Sequence, residues 1–482
     1  MNYRIVFQTL GKILLVEATL IVLPLMISLI YHETEMIVPF ITTSGILCIC
    51  GFLLVKLIKP NNANLFPKEA FAIVSLSWIL VSLFGCLPYI FSGVVNNFFD
   101  ALFESVSGFS TTGATVLSDV ENLSKGLLFW RSFSQWLGGM GILVFVLAIL
   151  PNVDPRSMYI LKAESPGPKV GKLVSKVKVT AIILYLIYIV LTLTLTILLK
   201  IAGLPWFDSV VHALSVAGTG GFSIKNSSIM AYQNIPAEII IAIFMLFFAI
   251  NFNLYYFILI GQGKQILKNE EFRFFVIIVV ISTLIVAINI MNLYGNFGNS
   301  LHHAIFQVAS IISTTGLTTT DFNIWPSLSK WILIILMITG GCAGSTCGGI
   351  KLSRVIILGK TIKNEIKYSL HPNQVITTKF EQKRVEEDVL RGVVSFIIAY
   401  FFIVLLGTLI ISIENVDLLS SLTSVLTCIS NVGPGFNLVG PTENFAFFSN
   451  FSKLILSIIM LAGRLEIFPI LVLFTPRLWK KA

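Results

Sequence analysis

The sequence predicts an all-α polytopic membrane protein in which four tandem helix–pore loop–helix repeats surround a pseudo-fourfold axis, plus two extra N-terminal transmembrane helices. Three observations carry that expectation. Of 482 residues, 56% are hydrophobic and only 12% charged, with a mean hydropathy of +0.89, too much apolar surface for one soluble core. Apolar stretches at 13–30, 38–58, 71–90, 180–199, 239–260, 274–291 and 393–413 each approach the roughly 20 residues that cross a bilayer. Four short polar stretches also recur: Ser110-Thr111-Thr112-Gly113, Gly218-Thr219-Gly220-Gly221, Ser313-Thr314-Thr315-Gly316 and Ser430-Asn431-Val432-Gly433. Their last glycines stand roughly a hundred residues apart, which leaves room for two crossings between copies.

Taken in order, residues 1–70 hold the two extra helices. Residues 71–150 form the first repeat, 151–260 a cytoplasmic loop with the second, 261–358 the third, 359–388 a cytoplasmic loop, and 389–482 the fourth. Two extra spans and two per repeat predict ten crossings. The segments before the glycines, 100–109, 207–217, 301–312 and 418–429, are too short to span and fit half-helices that enter the membrane and stop. The first apolar segment has no small-residue cleavage site after it and reads as a retained helix.

Charge gives the orientation. The N-terminus, the loops 56–69, 151–178, 261–273 and 351–391, and the C-terminus hold all of the 33 Lys and Arg except Lys125, Arg131, Lys200, Lys225, Lys330, Lys453 and Arg464. Basic segments stay inside, so both termini are expected in the cytoplasm, with the polar stretches on the other side. The net charge of +9 then reflects topology and not a nucleic-acid partner; the partner of the apolar faces is membrane lipid. Cys48, Cys50, Cys86, Cys342, Cys347 and Cys428 lie in or beside apolar segments without zinc-ligand spacing, and read as structural thiols.

Backbone that leaves a helix inside a bilayer must be buried in protein or line a water-filled cavity. Glycine lets successive carbonyls turn toward one axis, and the carboxyl ends of half-helices add partial negative charge there. The quartet is what a pore lined by backbone carbonyls needs, and it favours a dehydrated cation.

These motifs resemble the Trk/Ktr/HKT superfamily of potassium-transporting subunits. The segments Gly-Phe-Ser-Thr-Thr-Gly-Ala-Thr (108–115), Gly-Thr-Gly-Gly-Phe-Ser (218–223), Ser-Thr-Thr-Gly-Leu-Thr-Thr (313–319) and Ser-Asn-Val-Gly-Pro-Gly-Phe (430–436) look like its four filter segments. The resemblance spans nearly the whole chain, and the two extra helices look like the TrkH branch. It implies a single-chain filter in which Gly113, Gly221, Gly316 and Gly433 narrow the path, with K+ bound by carbonyls at Thr111, Thr112, Gly113, Thr219, Gly220, Gly221, Thr314, Thr315, Gly316, Asn431, Val432 and Gly433. Sodium-preferring plant relatives carry serine at the first glycine, so Gly113 argues for potassium, with some rubidium permeation. Gly220 in place of threonine, and Asn431-Val432 followed by Pro434, depart from fourfold identity and imply a modest selector.

Below the third filter segment, Gly340, Gly341, Gly344, Ser345, Thr346, Gly348 and Gly349 lie in one run whose glycines at 340, 344 and 348 would suit close helix packing. The resemblance instead implies an intramembrane loop that breaks the second helix of this repeat and gates the path, together with Arg464, which the family points at the pathway. A charge at mid-span costs a few kcal/mol, and Glu466, two residues on, does not face Arg464 on a helix. His212, His302 and His303 read as hydrogen-bonded structural groups, Glu17 as reaching the interface, and Asn251 and Asn253 as bonding between helices.

The polar stretch 351–391 reads as a solvated loop. The resemblance adds a homodimer and a cytosolic, TrkA-like regulatory ring that binds nucleotide. No glycine-rich dinucleotide fingerprint follows a strand here, so the chain is expected to need no cofactor, with K+ as the transported ion. The expected function is potassium uptake through a gated carbonyl filter. The alternative is a K+/H+ or K+/Na+ symporter with a midplane site, against which few membrane carboxylates speak. An enzyme would need a clustered acid, base or metal site, and none stands out.

Overall fold

The structure, a computed structural model, describes residues 1–58, 66–141, 177–374 and 377–479. The expected end of the first repeat (142–150), the basic loop 151–176 and the middle of the loop 56–69 lie outside the described residues.

Two nearly continuous helices, Tyr3–Leu20 and Val22–Ile30, pack against Ile37–Leu57. Gly11 and Gly51 face each other there, each approaching the other's carbonyl oxygen too closely for a side chain, the small-residue contact that brings membrane helices together. This pair docks on the first helix of the first repeat, Pro67–Gly85.

Each repeat opens with a long apolar helix: Pro67–Gly85 continued by Leu87–Phe91, then Val177–Ile201, Glu270–Asn289 and Glu387–Ile411. With the N-terminal pair, these give six helices among the described residues that are long and apolar enough to cross a membrane. Their outward side chains, such as Leu186, Ile277 and Leu405, are large, apolar and exposed, as a lipid-facing surface requires.

The half-helices follow at Phe98–Phe109, Trp206–Gly218, Phe297–Ile312 and Leu418–Ser430. Three begin on a side-chain cap: Asn97 accepts from the Phe99 amide, Asn296 from Asn299, and Asp417 from Ser420. Asp100 and Asp208 sit in the first turn of the first two, where a carboxylate suits the positive end of the helix dipole. Their carboxyl ends are buried and carry Ser107, Ser215, Ser310 and Thr427.

The second helices close the assembly. Lys125–Gly139 packs on the second half-helix, Ile235–Phe248 on the third, Ser327–Thr339 on the fourth, and Asn450–Arg464 returns to the first. That cyclic order places four repeats around one axis.

These second crossings are shorter and more broken than expected. The stretch 239–260 is two helices, Ile235–Phe248 and Phe252–Leu259, bent by 92°. Among the described residues the Asn251 side chain bonds to no other helix: it caps the second piece by accepting from the Asn253 amide. In the third repeat Ser327–Thr339 gives way to non-helical backbone before Leu352–Leu370, and in the fourth Asn450–Arg464 breaks before Phe468–Leu473, with Glu466 and Ile467 at positive φ. The polar stretch 351–391 is not a bare loop, since it contains the helix Leu352–Leu370 and an antiparallel pair, Lys379–Phe380 with Lys383–Arg384.

Three charges also sit where sequence reading did not put them. Arg131 and Lys453 are buried in second helices and paired with Glu104 and Asp100, so they are not extracytoplasmic loop charges. Glu17 does not reach the interface; it is buried on the first helix, and neither carboxyl oxygen has a partner among the described residues.

Candidate functional site

The four half-helices end in one way. Thr111, Thr219, Thr314 and Asn431 adopt left-handed backbone, with φ of 58°, 52°, 54° and 54°. Their amides bond back to Gly108, Val216, Ile311 and Cys428, and the amides of the next residues, Thr112, Gly220, Thr315 and Val432, bond to Ser107, Ser215, Ser310 and Thr427. This is the Schellman pattern, which normally recruits glycine at the left-handed position. A β-branched threonine there is strained, and three copies persist because the surroundings over-determine them. Asn431, a departure by sequence, tolerates left-handed backbone better than threonine does.

Two residues on, Gly113, Gly221, Gly316 and Gly433 again take positive φ, of 80°, 79°, 79° and 102°. Alternating handedness turns consecutive carbonyls to one side of the chain. A Cβ on Gly113 would collide with the carbonyl oxygen of Gly220, one on Gly221 with that of Thr315, and one on Gly316 with that of Val432. On Gly433 it would fall 2.7 Å from the carbonyl oxygen of Thr112. Each repeat therefore leans on the next, and the fourth leans on the first. The four glycines line one cavity of about 130 Å³ on the side of the extended segments that follow them.

What braces each quarter differs. The hydroxyls of Ser110 and Thr112 lie 2.7 Å apart, as do those of Ser313 and Thr315. In the fourth quarter Ser430 meets the Tyr400 hydroxyl at 2.7 Å, and the Asn431 amide donates to Thr112 Oγ1 and the Met460 carbonyl, each at 3.0 Å. In the second quarter Gln135 accepts from Ser215 and the Phe222 amide and donates to the Gly220 carbonyl.

Behind the first quarter lies a buried ion pair. Arg131 holds Glu104 at 2.8 Å and donates to the Ser223 carbonyl of the second quarter, with its guanidinium 4.1 Å from the centre of the Phe222 ring. Glu104 also accepts from the Thr115 hydroxyl and the Val116 amide just beyond Gly113. Sequence reading missed both residues, although a carboxylate in a half-helix too short to span was a visible signal.

The stretch from Gly340 to Lys351 is non-helical, which settles its conformation against a packed small-residue helix. It folds back so that the Ile350 and Lys351 amides bond to the Ile338 and Thr339 carbonyls. Gly348 sits against the half-helix ends: its amide donates to Thr314 Oγ1 at 2.8 Å, and a Cβ there would strike the Ser430 carbonyl. Gly340 and Gly349 pack backbone to backbone, Gly341 lies against Cys347, Gly344 against Asn251, and the Ser345 hydroxyl bonds to the Cys342 carbonyl. The bent helix of the second repeat receives the loop, since the Cys342 amide bonds to Ala249 and the Phe252 amide to Gly344. Glu271 ties both sides, accepting from the Ala343 amide at 2.8 Å and the Ser353 amide at 3.0 Å.

Arg464 reaches the same loop. It donates to the Thr346 carbonyl at 2.7 Å and to the carbonyls of Gly138 and Gly139, joining the fourth repeat to the third and the first. Glu466 turns away and pairs with Arg354. None of the three histidines reaches the ring glycines through a hydrogen bond among the described residues: His212 bonds to Asp208 and Ser223, His302 pairs with Glu238 at 2.6 Å, and His303 lies tilted against Tyr294.

Residues 39–481 match the family TrkH, described as a cation transport protein. The Trk system potassium uptake protein TrkH of Salmonella typhimurium is 36% identical over the whole of both chains, and that of Escherichia coli K12 is 35% identical over the same extent. The crystal structure of the potassium transporter TrkH from Vibrio parahaemolyticus superposes over all of both chains with a TM-score of 0.90 at 32% identity. The chain belongs to the TrkH family of cation transport proteins.

Proposed function

We propose that this chain takes up potassium across the bacterial inner membrane through the ring at Gly113, Gly221, Gly316 and Gly433. The single observation that carries the reading is the cyclic approach of each glycine to the carbonyl of the next repeat. A dehydrated ion on that axis meets carbonyl oxygens from four directions, at the carboxyl ends of four half-helices whose dipoles favour a cation. The backbone at Thr111, Thr112, Thr219, Gly220, Thr314, Thr315, Asn431 and Val432 supplies the ligands, and K+ is cargo, so the chemistry calls for no cofactor. Family membership makes the chain a transporter and not an enzyme.

The stretch 340–349 is the gate in this reading. It lies against Thr314 and Ser430 and is held by Arg464, so an ion leaving the ring meets it next. Both termini are cytoplasmic, following the basic loops. Relatives named as parts of a Trk system support a membrane subunit that works with a cytosolic, TrkA-like nucleotide-binding ring, and we assign a homodimer as the working unit.

The test uses purified protein in liposomes, with potassium, rubidium and sodium flux measured at imposed voltages and pH gradients. Potassium flux that follows voltage and is indifferent to a pH gradient supports the reading. Absence of potassium flux under every gradient, with and without the cytosolic partner, sinks it.

A further inference from the structure

The second quarter of the ring is built differently from the others, and its missing parts come from another repeat. The first and third quarters each carry a serine and a threonine whose hydroxyls meet at 2.7 Å, while the second has Gly218 and Gly220 at the same places. A side chain at Gly218 would run into the backbone of Gln135, and one at Gly220 into the Gln135 side chain, with Cγ at 2.6 Å. Gln135 belongs to the second helix of the first repeat and is fully buried.

All of its polar atoms are used. Oε1 accepts from the Ser215 hydroxyl at 2.8 Å and from the Phe222 amide at 3.1 Å, while Nε2 donates to the Gly220 carbonyl at 2.7 Å. That carbonyl is the one Gly113 leans on. Its counterparts at Thr112, Thr315 and Val432 have no side-chain donor among the described residues.

We propose that Gln135 is a selectivity-determining residue of the ring, its carboxamide holding the Gly220 carbonyl so that one of four equivalent oxygens is a weaker and more fixed ion ligand. The inference rests on the potassium reading above. An oxygen already accepting an N–H has less negative potential to offer, and the attraction of a cation to such an oxygen grows as the ion shrinks. Lowering the field of one ligand costs sodium more than potassium, because selectivity depends on the number and field strength of the carbonyl dipoles. Gln135 also fills the space beside Gly220, which keeps this glycine-rich quarter from closing around a smaller ion.

The experiment separates donation from space filling. Gln135→Met keeps most of the volume and removes the amide, and Gln135→Ala removes both. Each is purified, checked for the elution volume of the parent, and reconstituted beside it in liposomes and planar bilayers. Bi-ionic reversal potentials should show the sodium-to-potassium permeability ratio rising about tenfold in Gln135→Met, the effect of losing one hydrogen bond, and further in Gln135→Ala. If Gln135→Met does not fold, Gln135→Leu removes the amide donor with a smaller loss of volume than alanine and carries the same expectation. A parent that conducts potassium while the folded variants keep its permeability ratio overturns the role of Gln135 alone. A parent that conducts no potassium overturns the functional reading beneath it.

Discussion

Arg464 donates to the carbonyl of Thr346 across 2.7 Å, joining the last helix of the fourth repeat to the loop of the third. The same guanidinium also holds the carbonyls of Gly138 and Gly139 in the first. A half-buried cation that holds backbone oxygens is a clamp as well as a charge. It fastens the loop, and it opposes other cations nearby.

Replacing it should therefore release flux. Arg464→Ala is expected to raise potassium conductance or open probability severalfold, and Arg464→Lys, which keeps the charge but not the planar fork, to fall between parent and alanine. Currents normalised to surface expression check this. Equal currents in all three proteins remove Arg464 from control of the path.

Glu271 anchors the loop from the opposite side through the amides of Ala343 and Ser353. Glu271→Ala leaves two buried N–H groups unpaired, at about 1–3 kcal/mol each. The expected result is faster amide exchange confined to the loop and its flanks, read by mass spectrometry, together with a lower midpoint of thermal unfolding. Uniform protection across 340–353 in that variant contradicts the anchoring.

At the ring, Gly113→Ser puts a side chain where the Gly220 carbonyl stands, on backbone with φ of 80°. The carbonyl has to move, and under the proposed reading the four ligands no longer surround potassium evenly. Potassium flux should drop at least tenfold while the sodium share rises; a variant with parental reversal potentials shows that the ring is not the selector.

The pair of Glu104 and Arg131 is a matter of stability more than of ion choice. Both groups are buried, and Glu104→Gln leaves the guanidinium without its counter-charge, which should destabilise the protein by about 3–5 kcal/mol. Thermal unfolding in detergent measures it. A substitution of both residues by apolar ones should recover much of the loss, since the pair costs desolvation that hydrophobic packing does not.

Acid should loosen the outer loops first. Hydrogen bonds from Asn226 and Asn122 hold the Asp119 carboxyl below its ordinary value, and the Lys225 side chain does the same for Glu121. Groups with depressed folded values stabilise fully above the ordinary carboxylate range of about 4 and lose that contribution as pH falls through the depressed value. Proteolytic nicking of the loops after Gly113 and Gly221 is therefore expected to increase only below about pH 4. In Lys225→Met the partner loop should be nicked faster already at neutral pH, and its cleavage should change less on acidification, because the contribution that acid removes is no longer there. A pH-independent cleavage rate argues against the bonds.

The half-helices and their glycines were legible because the device is local and repeated: a short apolar helix, a cap and a left-handed turn leave a mark in about a dozen residues. The long outer helices were legible from apolar length alone. What sequence did not reveal depends on partners far along the chain. Gln135 meets Gly220 across 85 positions and Glu104 meets Arg131 across 27, and neither spacing has a periodic signature. The 92° bend had a local cue in Asn251, which caps the second piece, yet its apolar flanks concealed it. Arg131 and Lys453 misled the charge count for a related reason, since a cation in the first half of a helix reads as solvated until a buried carboxylate is found beside it.

A ring assembled from four identical chains can change only in fours: one altered codon appears at every quarter, and a useful asymmetry has no way to arise. Here each quarter is written separately, so the glutamine beside Gly220, the tyrosine beside Ser430 and the hydroxyl pairs of the other two are independent settings. If the ring selects the ion as proposed above, covalent linkage converts ion choice from an all-or-nothing trait into one adjustable in increments of a single side chain. Inheritance can tune such a filter gradually, and so can an engineer.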